Sequence, residues 1–164
     1  MADDLTIVTG TKVEIYQSLI PQIKALLDGE PDIVANLANV AAALKEQFNW
    51  LWVGFYLVKP SSANALEVEL VLGPFQGPVA CTRIKKGRGV CGAAWQNAKT
   101  LIVPDVEKFP GHIACSSLSK SEIVVPVIRN EDVIGVLDVD ASDYDQFDEI
   151  DQLYLEEIVG LITF

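Results

Sequence analysis

The 164-residue chain has one histidine, one methionine and three cysteines, and its 12 lysines and arginines are outnumbered by 23 aspartates and glutamates. Each scarcity excludes something. A formal net charge of −11 leaves no basic face to follow a phosphate backbone or an anionic bilayer, so neither nucleic acid nor a membrane surface is an expected partner. No apolar run approaches the roughly 20 residues that span a bilayer. The start, Met1-Ala2-Asp3-Asp4, lacks the basic region and apolar core of a secretory signal, so a cytoplasmic location is expected. Three thiols are an odd number for a disulfide framework, and reducing compartments seldom hold structural disulfides. The cysteines are therefore expected to be catalytic, metal-binding or packed as small hydrophobes.

What the chain does have is apolar content: half of its residues are hydrophobic. A chain of this length can bury roughly 70% of its unfolded surface, which suits one domain over residues 1–164, with 1–10 as a short N-terminal extension. Val13, Ile15, Leu19, Ile20, Ile23, Leu26 and Leu27 recur at helical spacing, and Pro21 is expected to kink or divide that first helix. Pro31 suits the first turn of a second helix, whose stripe runs from Ile33 to Leu44 and ends near Phe48. Trp50 to Val58 and Glu67 to Leu72 read as a hairpin around Ser61 to Asn64, followed by punctuation at Gly73 to Pro78. A short extended run into Ile84, one or two helical turns over Val90 to Asn97 and a brief strand at Thr100 to Val103 come next. Pro104 to Lys120 reads as a long ordered loop, and such loops are usually functional. Glu122 to Ile128 and Val133 to Val139 form a second hairpin through Arg129 to Asp132, and Asp148 to Ile162 closes the chain as an amphipathic helix. Helices, then hairpins, then a helix predict an α+β fold, with a mainly antiparallel sheet and helices on one face.

Cys115 lies in a loop rich in glycine and serine, near His112 and Lys120, where backbone amides and positive charge favour a thiolate. Cys81 and Cys91 are then available to resolve an oxidised partner as a disulfide. Cys91, between Val90 and Gly92, best fits simple packing. A zinc site built from all three cysteines and His112 is disfavoured, because the closely spaced cysteine pair typical of such sites is missing. No metal is expected.

Glu122 opens one strand, and Asp138 and Asp140 stand on its hairpin partner. Period-two alternation turns both aspartates to one face and Leu137 and Val139 to the other. That face is either solvated or the wall of a pocket. In a pocket, close carboxylates raise one another's pKa, and one can stay protonated near neutral pH as an acid. Gly87-Arg88-Gly89-Val90-Cys91-Gly92 matches the G-x-G-x-x-G dinucleotide pattern. The charged Thr82 to Lys86 that precedes it is a poor buried strand, and the helix that follows is too short for a crossover. A tight turn offering amides to a ligand carboxylate suits the glycines better.

The segments Leu70 to Ile84 (LVLGPFQGPVACTRI), Gly87 to Gly92 (GRGVCG), Ile102 to Cys115 (IVPDVEKFPGHIAC), Ser121 to Pro126 (SEIVVP) and Val133 to Asp140 (VIGVLDVD) together resemble the free methionine-(R)-sulfoxide reductases, a GAF-domain family. The likeness runs from about Trp50 into the last helix. It implies a six-stranded, mainly antiparallel sheet flanked by helices, and an enzyme acting on free methionine sulfoxide. It further implies that Cys115 is the nucleophile, Cys81 the leading resolving thiol and Cys91 a second resolving or relay thiol. Glu122, Asp138 and Asp140 match the family's acidic residues, and Trp52 and Tyr56 its pocket aromatics. A sulfenic acid and then an intramolecular disulfide, recycled by a thioredoxin-like reductant without any cofactor, follow from the same likeness, which also admits a homodimer. The turn over Pro60 to Ala65 is longer than usual for the family, and Ser116 stands where an acidic residue often follows the nucleophile. The rival expectation is a GAF sensor that binds a small ligand without turning it over.

Overall fold

The computed structural model describes residues 4–112 and 116–164. Its elements are α1 (Lys12–Leu27), α2 (Ile33–Phe48), β1 (Trp52–Pro60), β2 (Val68–Gln76), β3 (Arg83–Ile84), α3 (Gly89–Asn97), β4 (Leu101–Val103), β5 (Ser121–Arg129), β6 (Asp132–Ala141) and α4 (Glu149–Leu161), with one 3-10 turn at Val106–Lys108. The strands form one six-stranded sheet in the order β3-β2-β1-β6-β5-β4. Every neighbouring pair is antiparallel.

Alternation along the strands builds two different cores. Val53, Phe55, Ile123, Val125, Val127, Leu137 and Val139 point to one side, where they pack with Tyr16, Leu19 and Ile23 of α1, Leu37, Val40 and Leu44 of α2, and Leu155 and Ile158 of α4. Trp52, Tyr56, Val124 and Val136 point to the other side and meet Val90, Cys91, Ala94 and Trp95 of α3. The helices therefore do not share one face, as the element order alone suggests. The short α3 covers the side opposite the other three, and the candidate site residues Trp52, Tyr56, Cys91, Glu122, Asp138 and Asp140 gather around it.

The helix ends follow ordinary capping chemistry. Thr11 and Glu14 form a capping box on α1, and Asp148 and Asp151 another on α4. Helix α1 runs unbroken through Pro21. Pro21 and Gln17 are both exposed, so the Gln17 carbonyl that the proline leaves without an N–H faces water rather than the core. Pro31 precedes the N-cap, Asp32, instead of occupying the first turn of α2. The N-terminal segment is tied down: Val8 exchanges backbone hydrogen bonds with the Gln47 side chain, and Leu5 packs on the core.

Strand β2 continues four residues beyond the run read from sequence, to Gln76. Its register against β1 passes from Leu72 opposite Tyr56 to Phe75 opposite Gly54, so Gly73 and Pro74 together oppose Phe55. Two residues against one is a β-bulge, a place where a proline needs no N–H. The β5–β6 hairpin turns through Asn130 and Glu131, with φ of 50° and 70°, the two left-handed positions of a type I′ turn. A glutamate in the second position is strained where glycine is not. Glu131→Gly is therefore expected to stabilise the fold by about 1 kcal/mol, or roughly 2–4 °C in melting temperature. A lower melting temperature by calorimetry would show instead that the Glu131 side chain contributes more than its backbone costs.

Candidate active site

Three strands and one helix bring the site together. On β1, Trp52 and Tyr56 face α3 with Gly54 between them. On β6, Asp138 lies opposite Gly54 and Asp140 opposite Trp52. On β5, Glu122 lies opposite Asp140 and Val124 opposite Asp138. Helix α3 lowers Cys91 onto this surface, placing its Sγ 4.0 Å from Glu122 Oε1. The cleft is lined by Trp52, Tyr56, Cys91, Glu122, Asp138 and Asp140 from these elements, and by Pro78, Val79, Arg88, Gly89, His112 and Ser119 from the connections around them.

The acidic face is thus a pocket wall rather than a solvated surface. Glu122 is 6% exposed, Asp138 7% and Cys91 4%. Burial holds the carboxyl pKa of Glu122 well above its ordinary value, and the charges of Asp138 and Asp140 add to the rise. Asp140 is raised by burial and by Asp138, against the hydrogen bond it accepts from the Ser119 hydroxyl. Asp138 is pushed up to about 6 by burial, partly opposed by hydrogen bonds from its neighbours. The Cys91 thiol is pushed up by burial and by the same carboxylates. The group as a whole therefore holds protons near neutral pH that separate carboxylates would have lost.

The aromatic wall is built with similar economy. Trp52 stacks on Phe75 and on Tyr56, with ring centroids 5.3 and 5.9 Å apart. Its indole N–H donates to the Pro78 carbonyl at 3.0 Å. Tyr56 donates through its hydroxyl to the Cys81 carbonyl at 2.9 Å, which ties the Cys81 segment to the central strand. Gly54 makes the stacking possible: a Cβ there would lie 2.4 Å from Phe75 Cβ and 2.5 Å from Trp52 Cη2.

Cys81 is disulfide-bonded, and Cys91 is a free, buried thiol. Cys115 lies outside the described residues. A disulfide-bonded Cys81 has no thiolate to offer a metal. Burial lowers the His112 pKa, so it adds little positive charge to the cleft. The glycines of the dinucleotide-like pattern instead bring the chain back onto α3. A Cβ on Gly92 would lie 2.5 Å from the Lys85 carbonyl oxygen. Arg88, at the N-cap, makes no side-chain cap hydrogen bond, and Gly89 and Val90 line the cleft.

Sequence reasoning missed Ser119, Gly54 and the Pro78–Val79 lip. Ser119 sits in a segment without periodicity, so no pattern pointed to its bond with Asp140. Gly54 was legible only as a gap in an aromatic strand.

Known proteins share this architecture. The GAF-domain family model matches residues 28–164. The chain is 65% identical over 162 residues to GAF domain-containing protein A of Dictyostelium discoideum, with 99% of each chain covered. It is 45% identical over 158 residues to the free methionine-R-sulfoxide reductase of Saccharomyces cerevisiae, covering 93% of this chain and 86% of that protein. Among solved structures, it matches free methionine-R-sulfoxide reductase from Neisseria meningitidis in complex with its substrate. There the TM-score is 0.92 and the identity 53%, over 99% of this chain and 93% of that one.

The raised carboxyl pKa values make the cleft a cost to folding. A carboxyl whose folded pKa lies above its unfolded value favours the native state at low pH, and that stability is lost as pH rises through the window between the two values. For Asp138 the window runs from 3.8 to about 6. Asp138→Asn is therefore expected to raise stability at pH 7.5 by on the order of 2 kcal/mol, seen as a melting temperature about 5 °C higher. The gain should shrink as pH falls from 6 to 4. An unchanged or lower melting temperature at pH 7.5 would refute this account.

Proposed function

Because the chain belongs to the GAF-domain family of free methionine-R-sulfoxide reductases, we propose that it reduces free L-methionine (R)-sulfoxide to methionine, with Cys115 as the attacking thiolate and Cys81 as the thiol that resolves it. The observation that carries this reading is the trio of Glu122 and Asp138, both buried, and half-buried Asp140, all three with raised pKa values. A sulfoxide sulfur is a poor electrophile until its oxygen is protonated, and a carboxyl that keeps its proton near neutral pH supplies that proton. The same cluster seats the substrate's ammonium on whichever carboxylate is ionised. Trp52 and Tyr56 pack the S-methyl and alkyl part, since aromatic rings make favourable contacts with sulfur. The substrate carboxylate goes to the backbone amides at the start of α3, where Gly89 and Val90 line the cleft.

In this reaction the Cys115 thiolate attacks sulfur as the carboxyl proton passes to the sulfoxide oxygen. Oxygen ends on Cys115 as a sulfenic acid, and methionine leaves as the thioether. The Cys81 thiol then displaces hydroxide from the sulfenic sulfur, which departs as water and leaves a disulfide. A thioredoxin-like dithiol reduces that bond by exchange. Support for Cys81 in this role comes from its disulfide-bonded state beside a free Cys91. Burial and adjacent carboxylates hold the Cys91 pKa up, which makes Cys91 a poor nucleophile at neutral pH and leaves it a secondary relay at most. The reading covers residues 1–164 as one catalytic domain working in the cytoplasm, as a monomer or a homodimer.

The test is thioredoxin-coupled turnover on the separated epimers of free methionine sulfoxide. The R epimer should be consumed and the S epimer left. Cys115→Ser should lower the rate by at least about a thousandfold. Cys81→Ser should complete one turnover and stall with a sulfenic acid that dimedone traps. Stoichiometric binding of the sulfoxide by the wild-type chain, without consumption of dithiol, would make it a sensor instead.

A further inference from the structure

Proton donation and ammonium binding leave one property of the cleft unused. Cys91, Glu122 and Asp138 each offer one ligand atom, all within 4.8 Å of one another, and all three residues are buried. They come from three elements, α3, β5 and β6, and converge on the cleft from two sides. Independently, Asp138 Oδ1 is buried with no hydrogen-bond partner among the described residues. A buried acceptor left in that state costs about 1–3 kcal/mol, and Asp138 faces the cleft.

The geometry points to a divalent-cation site on Cys91 Sγ, Glu122 and Asp138, suited to a thiophilic ion of the zinc class, with its fourth position open to the cleft. Bond lengths to zinc of about 2.3 Å from sulfur and 2.0–2.2 Å from oxygen put neighbouring ligand atoms roughly 3.5 Å apart around a tetrahedral ion. The 4.0 Å between Sγ and Glu122 Oε1 closes to that by small side-chain rotations. One soft thiolate with two carboxylates suits zinc or cobalt better than magnesium or calcium, which take oxygen donors. Three protein ligands and an open position are the arrangement of an exchangeable site rather than a closed structural one. As the metal–ligand bonds form, the Cys91 thiol and any protonated carboxyl release their protons to solvent. On the reading that methionine sulfoxide occupies this cleft, ion and substrate exclude one another, and zinc inhibits competitively.

The test uses Cys81→Ser/Cys115→Ser chain, in which Cys91 is the single thiol, in buffer free of thiol reductants. Titration with Co2+ should give a saturating thiolate-to-cobalt charge-transfer band at one equivalent, which Zn2+ abolishes and excess Mg2+ does not. Adding Cys91→Ala should remove the band, and adding Asp138→Asn should weaken binding at least tenfold. Absence of the band, or its survival in the Cys91→Ala background, overturns the site. Should a variant fail to fold, X-ray absorption of the zinc-loaded wild-type chain decides. One sulfur with oxygen neighbours is expected, and a shell with no sulfur, or with two or more, overturns the proposal. Excess methionine sulfoxide should displace the ion. A band that persists under saturating sulfoxide would overturn the mutual exclusion and the substrate seat while leaving the metal site standing.

Discussion

The register of β6 between β1 and β5 decides on which side of the sheet each residue from 132 to 141 lies. Leu137 and Val139 enter the large core under α1, α2 and α4 while Asp138 and Asp140 enter the cleft under α3. A slip of one residue would exchange them, putting two carboxylates among fully buried aliphatic side chains and two aliphatics into the cleft. The large core is what prevents that slip. It makes one register far better than its neighbours, and so holds in place an acidic cluster whose own interactions are repulsive.

That repulsion is a structural liability, and on the proposed reading it is also what keeps protons in the cleft. Glu122 and Asp140 are directly opposed across two strands, an arrangement that disfavours pairing when both are charged. Their protons relieve it, and the Ser119 hydroxyl on Asp140 relieves it further. The rest of the molecule pairs its buried acids differently. Asp151, also buried, meets the Tyr16 hydroxyl at 2.8 Å and the Lys12 ammonium, which ties α1 to α4. The contrast separates an acid with a cation beside it, which ties two helices together, from the cleft acids, which have no ion-pair partner among the described residues.

Much of this was legible in the sequence, for physical reasons. Period-two alternation is enough to turn Asp138 and Asp140 to one face, and residue type is enough to mark the two hairpins and the outer helices. Whether that face was wet or buried depended on which side α3 covers. The segment Gly89–Asn97 is small and weakly amphipathic, so its own residues do not say. Gly73-Pro74 reads as a strand terminator, yet a bulge carries β2 through it, because the bulge removes the need for the one N–H that proline lacks. Pro21 likewise reads as a helix breaker and is not one, since the carbonyl it orphans is on the solvated side. Ser119 acts through a single contact set by a loop path, and no local pattern encodes that.

The pairing of Trp52 with Asp140 joins strands from opposite ends of the sheet's stretch of chain, and it bears on the order in which this protein comes into being. Synthesis delivers the aromatic wall first, then Cys81 and Cys91, then Cys115 and Glu122. The two aspartates arrive almost last, on the final strand. A growing chain that has not yet made β6 holds all three cysteines and Glu122 but lacks the two aspartates that complete the acidic cluster. The acidic cluster is thus completed only with the last strand of the sheet, and a chain cut before β6 keeps its cysteines without the Asp138 and Asp140 wall of the cleft.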